Sequence, residues 1–109
     1  MTRLIVITDP DSALGFRLTG VEATEVSAEE EASERLLTLL RGKEPGIVIY
    51  NDEYRRGLSE KNQAELEESV SPVFCAIPIS QVGGGGESRE HYLARLLRRA
   101  IGYQLKLKR

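Results

Sequence analysis

The sequence predicts an α/β fold: a small open sheet of four parallel strands with flanking helices. Two observations support this prediction. Three short apolar runs rich in β-branched residues, at positions 4–7, 47–50 and 73–77, have the length and continuous character of strands buried on both faces. Segments with helix-start residues and helical apolar spacing lie between these runs. Such alternation is typical of right-handed βαβ units.

The first unit begins with the strand at 4–7 and then turns at Asp9. Asp9 can cap a helix that has Pro10 at its first position, and Gly20 can end that helix. Residues 21–26 alternate apolar and polar side chains, which is the pattern of an edge strand. We therefore expect the strand order 2-1-3-4, a truncated doubly wound sheet.

Two further helices are predicted between the later strands. Residues 27–30 form a capping box that would open the second helix, and Gly42 is its expected end. A third helix over residues 59–69 has few apolar side chains, so we expect it to be an exposed cover of the sheet. The apolar face of the second helix consists of Ala32, Leu36, Leu39 and Leu40.

The chain divides into three parts by composition and charge. Residues 1–82 form the predicted α/β domain, residues 83–87 a glycine-rich hinge, and residues 88–109 an amphipathic basic helix with a tail. Through Gly86 the chain has 8 basic and 15 acidic residues, a net charge of −7; the remainder has 7 and 2, a net charge of +5. An acidic body with a basic C-terminal segment indicates electrostatic docking.

Composition excludes several classes of protein. Apolar residues make up 40% and charged residues 29% of the 109 positions, which is typical of a single globular domain. No apolar run approaches the length of a membrane span, and no signal peptide is recognisable. One cysteine, Cys75, and one histidine cannot make a zinc site, so we expect a cytoplasmic protein with a buried free thiol and without metal or cofactor.

An acidic group at the carboxyl edge of the predicted sheet is the most tempting chemical site. Asp9 and Asp11 follow the first strand, and Asn51, Asp52 and Glu53 follow the third. Carboxylates gathered there could hold Mg²⁺, and the arrangement resembles the acidic pocket of response-regulator receiver domains. Asn51 stands where a phosphoacceptor aspartate is needed, however, and a run of four glycines takes the place of the fifth strand and following lysine that receiver domains need. Helix capping and solvated loop charges are the simpler interpretation.

The basic C-terminal segment has two candidate partners. Nucleic acid is one, but few aromatic residues lie among the basic side chains, and the acidic body would repel phosphate. An acidic protein surface is the better match, while a simply solvated helix face is the third interpretation. The apolar stripe of this segment consists of Tyr92, Leu93, Leu96, Leu97, Ala100 and Ile101.

Several motifs resemble the F subunit of the V-type and A-type rotary ATPases. The apolar first strand is followed by DPDS at 9–12 and FRLTGV at 16–21, which resemble the N-terminal signature of that family. Residues 46–53 (GIVIYNDE) resemble its third strand and the acidic turn after it, and residues 71–78 resemble its fourth strand, which ends in Ile-Pro. Residues 100–102 (AIG), followed by an apolar and basic tail, resemble its C-terminal end.

The resemblance implies a non-catalytic component of the central rotating shaft, with no active site of its own. Such a component binds the coiled-coil D subunit and couples ATP synthesis or hydrolysis to proton or sodium transport. Further expected contacts are the A/B catalytic hexamer and the C-subunit socket of the membrane sector, without nucleic acid and without membrane insertion. The expected location is cytoplasmic, peripheral to the membrane in the V1/A1 sector. The expected partner interface is Phe16, Arg17, Tyr92, Leu93, Leu96, Leu97, Arg99, Ile101 and Lys106.

Overall fold

The computed structural model describes residues 3–79 and, nearer the C-terminus, residues 95, 98 and 99. Strands and helices alternate along the chain as the sequence predicts, with one short 3₁₀ helix that it did not predict. The elements are β1 (Arg3–Thr8), α1 (Pro10–Leu18), β2 (Glu22–Glu25), α2 (Glu29–Gly42), β3 (Gly46–Asn51), the 3₁₀ helix (Asp52–Gly57), α3 (Glu60–Glu68) and β4 (Val73–Ile77).

The four strands form one parallel sheet in the order β2-β1-β3-β4. In register, Ile5 of β1 lies beside Glu22 of β2 and Val48 of β3, and Val48 lies beside Phe74 of β4. The predicted fold class and strand order are confirmed. The alternating strand β2 lies at one edge, as its half-polar pattern indicates.

The core has two layers, one on each face of the sheet. Because successive strand residues point to opposite faces, Ile5 and Ile7 of β1 pack with α2, the 3₁₀ helix and α3, whereas Val6 packs with Phe16 of α1. Cys75 of β4 is buried on the α1 face, as expected of a free thiol in an apolar run. Burial raises the pKa of the Cys75 thiol to about 11, so it stays protonated.

The start of α1 follows the prediction closely. The Asp9 side chain accepts a hydrogen bond from the Ser12 N–H at 3.1 Å, Pro10 is the first helical residue, and Gly20 has a φ of +87° after the helix ends. This positive φ is the conformation that glycine adopts without strain.

The predicted capping box of α2 is wrong in register. The helix begins at Glu29 with Ala28 as its N-cap, and Ala28 makes no side-chain cap. Glu31, rather than Glu30, reaches back and accepts a hydrogen bond from the Ser27 N–H at 2.7 Å. The reciprocal bond from a serine hydroxyl is therefore missing, and the acidic first turn stabilises the start of the helix instead.

The end of α2 lies at Gly42, but the left-handed residue is the next one, Lys43, with a φ of 55°. Gly46, which opens β3, is required for a different reason. A Cβ atom at Gly46 would lie 2.7 Å from the carbonyl oxygen of Arg3 on the neighbouring strand. The two strands can approach each other at this point because the side chain is absent.

The predicted hinge at 83–87 and most of the predicted C-terminal helix lie outside the described residues. Within that segment, Arg95, Arg98 and Arg99 are helical and exposed.

Candidate functional site

Phe16 of α1, a predicted partner-interface residue, lies in the core of the domain. Phe16 is fully buried and packs against Val6, Ile49 and Cys75 on the inner side of α1. Since it has no exposed surface to offer, its aromatic ring serves the core. Burial of this ring fixes the rotation of α1 about its axis and decides which side chains of the helix face outward.

Arg17, the second predicted interface residue of α1, forms hydrogen bonds within the domain. One guanidinium NH₂ group donates to a carboxylate oxygen of Glu25 at 2.6 Å, and the other donates to the Ala23 carbonyl at 2.8 Å. These bonds join the last turn of α1 to β2. The side chain remains 44% exposed, so part of it is still accessible to a partner.

The outward face of α1 contains two leucines that the sequence patterns did not single out. Leu14 and Leu18 are 58% and 66% exposed, although both are large and apolar. Their spacing of four residues places them one turn apart on the same side of the helix. No sequence signal singles them out, because apolar residues occur all around α1; the burial of Ala13 and Phe16 in the structure is what places Leu14 and Leu18 on the side away from the core.

Most of the remaining predicted interface residues lie outside the described residues. Arg99 is helical and exposed, and the structure describes none of the following: Tyr92, Leu93, Leu96, Leu97, Ile101 and Lys106. The interface formed by the C-terminal segment therefore stays a prediction.

At the carboxyl edge of the sheet, the Asp9 carboxylate is occupied by hydrogen bonds within the fold. It accepts from the Ser12 N–H at 3.1 Å and from the Thr8 hydroxyl at 3.2 Å. Partial burial by itself would raise the pKa of Asp9, but these hydrogen bonds outweigh the burial and hold the pKa below its ordinary value. Asp9 is thus an ionised helix cap at neutral pH.

The other polar residues of this edge also have local roles. Asn51 is buried, and its side-chain oxygen accepts a hydrogen bond from the Glu53 N–H at 3.3 Å. Asn51 is therefore the N-cap residue of the 3₁₀ helix. Glu53 is exposed. Across the described residues 3–79, no group of three or more His, Cys, Asp and Glu side chains is placed to hold a metal ion.

An open depression of about 460 Å³ lies beside Asp9, between the start of α2 and the 3₁₀ helix. Tyr54 forms one wall and is nearly buried. Burial, together with the negative charges of Asp9 and Glu53, raises the pKa of Tyr54 to about 12. The phenol is therefore neutral at physiological pH, and Glu29 adds a further carboxylate to the wall. An anionic substrate would be repelled from this depression.

No helix in the described part of the chain is long and apolar enough to cross a membrane.

The comparisons with known proteins agree with one another. A family model described as "ATP synthase (F/14-kDa) subunit" matches residues 4–96. The F subunit of an A-type ATP synthase from Archaeoglobus fulgidus is 34% identical over 106 residues, covering 96% of this chain and 98% of that protein. The F subunit of a V-type ATP synthase from Thermus thermophilus is 30% identical over 104 residues, covering 95% and 100%. The crystal structure of the V-type ATP synthase F subunit of A. fulgidus superposes with a TM-score of 0.62 and 32% identity, covering 70% of this chain and 96% of that one.

Proposed function

The chain belongs to the F-subunit family of V-type and A-type ATP synthases, and from this membership we propose that it is a non-catalytic part of the central rotating shaft. In this role it binds the coiled-coil D subunit and couples ATP synthesis or hydrolysis to the transport of protons or sodium ions. The observation that carries the proposal is the family match over residues 4–96, which takes in the sheet and the helices of the described domain.

The proposed surroundings follow from the same role. The shaft turns inside the A/B catalytic hexamer and ends in the C-subunit socket of the membrane sector, so the protein is cytoplasmic and peripheral to the membrane. The net charge of −7 up to Gly86 and +5 beyond it supports contacts of opposite sign with different neighbours. The basic segment at 88–109 is proposed to meet acidic surfaces of the shaft or the hexamer.

The proposed interface keeps the C-terminal stripe and the accessible part of Arg17. An apolar stripe at helical spacing suits a partner helix, because it can pack along a coiled coil. Phe16 is left out, since its ring is buried in the core. The interface residues proposed in the C-terminal segment are Tyr92, Leu93, Leu96, Leu97, Arg99, Ile101 and Lys106.

The receiver-like alternative makes a different demand on Asp9 and its neighbours. Phosphoacceptor chemistry needs a carboxylate that is open to Mg²⁺ and to a phosphoryl donor. Both carboxylate oxygens of Asp9 instead accept hydrogen bonds, one from the Thr8 hydroxyl and one from the Ser12 N–H. Incubation with acetyl phosphate and Mg²⁺ followed by intact-mass measurement would show an added phosphoryl group if the alternative held, and we expect an unchanged mass.

Co-expression with a candidate D subunit encoded in the same genome tests the proposal. With an affinity tag on the D subunit, the untagged chain should co-purify and remain bound through gel filtration in moderate salt. A matched co-expression in which the tag is on an unrelated coiled-coil protein controls for general affinity to coiled coils. Recovery of the chain equally from both, or from neither, would contradict the proposed role.

A further inference from the structure

The two faces of the sheet are covered unequally by the described helices. One face packs against α2, the 3₁₀ helix and α3, whereas within residues 3–79 the other face has one helix, α1. This helix contacts β1 and the edge strand β2. The strand β4 lies at the opposite edge of the sheet, beyond β3. The half of the α1 face formed by Ile49, Cys75 and Ile77, here called the β3–β4 half, therefore lies to one side of α1.

A single helix is too narrow to cover all four strands. Neighbouring strands lie about 4.8 Å apart, so β4 lies about 12 Å from the line midway between β1 and β2. A helix with its side chains is about 10–12 Å across and reaches about 5–6 Å to each side of its axis. The Phe16 ring extends this reach towards Cys75, but one ring cannot cover the whole β3–β4 half.

The β4 side chains on this face are buried all the same. Because strand residues alternate between faces, Val73, Cys75 and Ile77 all point to the α1 side, and they are only 8%, 2% and 3% exposed. Ala23 on the other edge strand lies on the same face and next to α1, yet it is only partly buried. Burial this complete on an edge strand requires a covering element beyond α1.

The path of the chain leads to this half of the face. Ile79 follows β4 by two residues, is completely buried, and belongs to the same core layer as Ile77 and Phe16. The chain therefore leaves β4 on the α1 side of the sheet. Residues 80–87 precede the predicted C-terminal helix, and their extended length of about 26 Å is enough for the chain to turn back over the face.

The sequence of residues 88–101 fits the space beside α1. As a helix this stretch would be about 21 Å long, close to the about 17–20 Å of a strand of five or six residues. Arg95, Arg98 and Arg99 are helical and exposed. At about 100° per residue, the apolar stripe lies on the side of the helix opposite these arginines. Its members are Tyr92, Leu93, Leu96, Leu97, Ala100 and Ile101.

We propose that in the free chain the apolar stripe of residues 88–101 packs on the β3–β4 half, over Cys75 and Ile77, and detaches without unfolding the sheet. Leu14 and Leu18 on the outward side of α1 stay more than half exposed, so the segment lies beside α1 rather than across it. Its detachment leaves α1 and the three helical elements of the other face in place.

This inference goes beyond the proposed function, which assigns the same stripe to a partner helix. One stripe cannot pack on the sheet and on a partner at once, so the two contacts exclude each other. Binding of a partner through the stripe requires the segment to leave the sheet, and the energy of the internal contact is subtracted from the affinity.

Cys75 is the single cysteine of the chain and lies under the proposed contact, so its reaction with N-ethylmaleimide reports detachment of the segment. Labelling of the full-length chain alone is followed by intact-mass measurement at about pH 8. The variant L93Q/L97Q removes two leucines of the stripe but keeps side chains with good helix propensity. The matched control, R98Q/R99Q, introduces the same residue type on the exposed side of the same helix.

We expect L93Q/L97Q to be labelled at least about tenfold faster than the wild type, and R98Q/R99Q to stay within about twofold. Detachment of a surface segment exposes little area, so the faster rate should rise only weakly with urea, whereas labelling through global unfolding rises steeply. Equal rates in the wild type and L93Q/L97Q would overturn the proposal. A steep urea dependence, or equal acceleration in R98Q/R99Q, would overturn it too. The proposed function stands or falls separately, by binding to the D subunit.

Discussion

Arg17 and Glu25 form an ion pair with an N–O distance of 2.6 Å that joins the last turn of α1 to the edge strand β2. The same guanidinium donates a second hydrogen bond to the Ala23 carbonyl at 2.8 Å, so Arg17 binds two residues of β2. Within residues 3–79, β1 is the one strand that pairs with β2, so this contact gives β2 a second attachment to the domain. Arg17 thus holds the edge of the sheet to the helix that precedes it.

Replacing Arg17 with alanine should lower the free energy of unfolding by about 1 kcal/mol, since both partners are half exposed and one backbone hydrogen bond is lost as well. Arg17→Lys should recover only part of this, because a single ammonium cannot match the planar fork. Urea unfolding of R17A, E25A and the double variant isolates the coupling. A double variant whose loss equals the two single losses added together would show that the pair contributes nothing.

The cap at Asp9 should make stability depend on pH. Because the folded-state pKa of Asp9 lies below its ordinary value of 3.8, its ionisation stabilises the fold at pH values above 3.8. That contribution should be lost as the pH falls through the lower, folded-state pKa. Asp9→Asn keeps a capping oxygen but removes the charge. The difference in free energy of unfolding between this variant and the wild type should therefore shrink as the pH falls.

The measurement is urea unfolding of the wild type and of D9N from about pH 6 down to about pH 3. Asp9→Ala removes the cap altogether and should lower the free energy of unfolding by about 1 kcal/mol at neutral pH. A difference between wild type and D9N that stays constant with pH would mean that the charge of Asp9 makes no contribution.

Gly57 and Ser33 should be coupled. A Cβ atom at Gly57 would lie 2.6 Å from the Ser33 hydroxyl of α2, which is buried and has no hydrogen-bond partner among the described residues. Gly57→Ala should therefore cost about 1–2 kcal/mol through overpacking. Ser33→Ala should be neutral or stabilising, because it removes an unsatisfied hydroxyl. In the S33A background the cost of G57A should fall substantially, and equal costs in both backgrounds would disprove the coupling.

Deletion of residues 86–109 should leave a folded domain. All four strands of the sheet and the helices α1–α3 lie within residues 3–79, so the truncated chain retains the elements that form both faces of the core. The check is thermal unfolding of the truncated and the full-length chain. A large drop in melting temperature would show that the C-terminal segment belongs to the core of the domain.

The parts of the fold that the sequence predicted well are those set by strong local patterns. The β-branched runs became β1, β3 and β4, and the chirality of βαβ units then leaves 2-1-3-4 as the expected order. The turn at Asp9 and Pro10 was also predictable, because a capping side chain followed by proline at the first helical position has a direct physical cause.

Other features depended on tertiary packing. The apolar residues of α1 occur all around the helix, so the sequence could not distinguish the buried Phe16 from the exposed Leu14 and Leu18. The 3₁₀ helix after Asn51 was missed because its one buried side chain, Tyr54, lies in a polar run. The α2 cap was placed wrongly because the run of glutamates after Ser27 and Ala28 offers two capping registers, one ending at Glu30 and one at Glu31.

The proposed role requires this chain to bind the coiled-coil D subunit as a component of the rotating shaft. Its most direct test is static light scattering, coupled to gel filtration, on the two proteins co-expressed from the same genome. We expect one peak whose mass equals that of one D subunit plus the 12.1 kDa of this chain, and this peak should persist in moderate salt. Two separate peaks, one of them at 12.1 kDa, would contradict it.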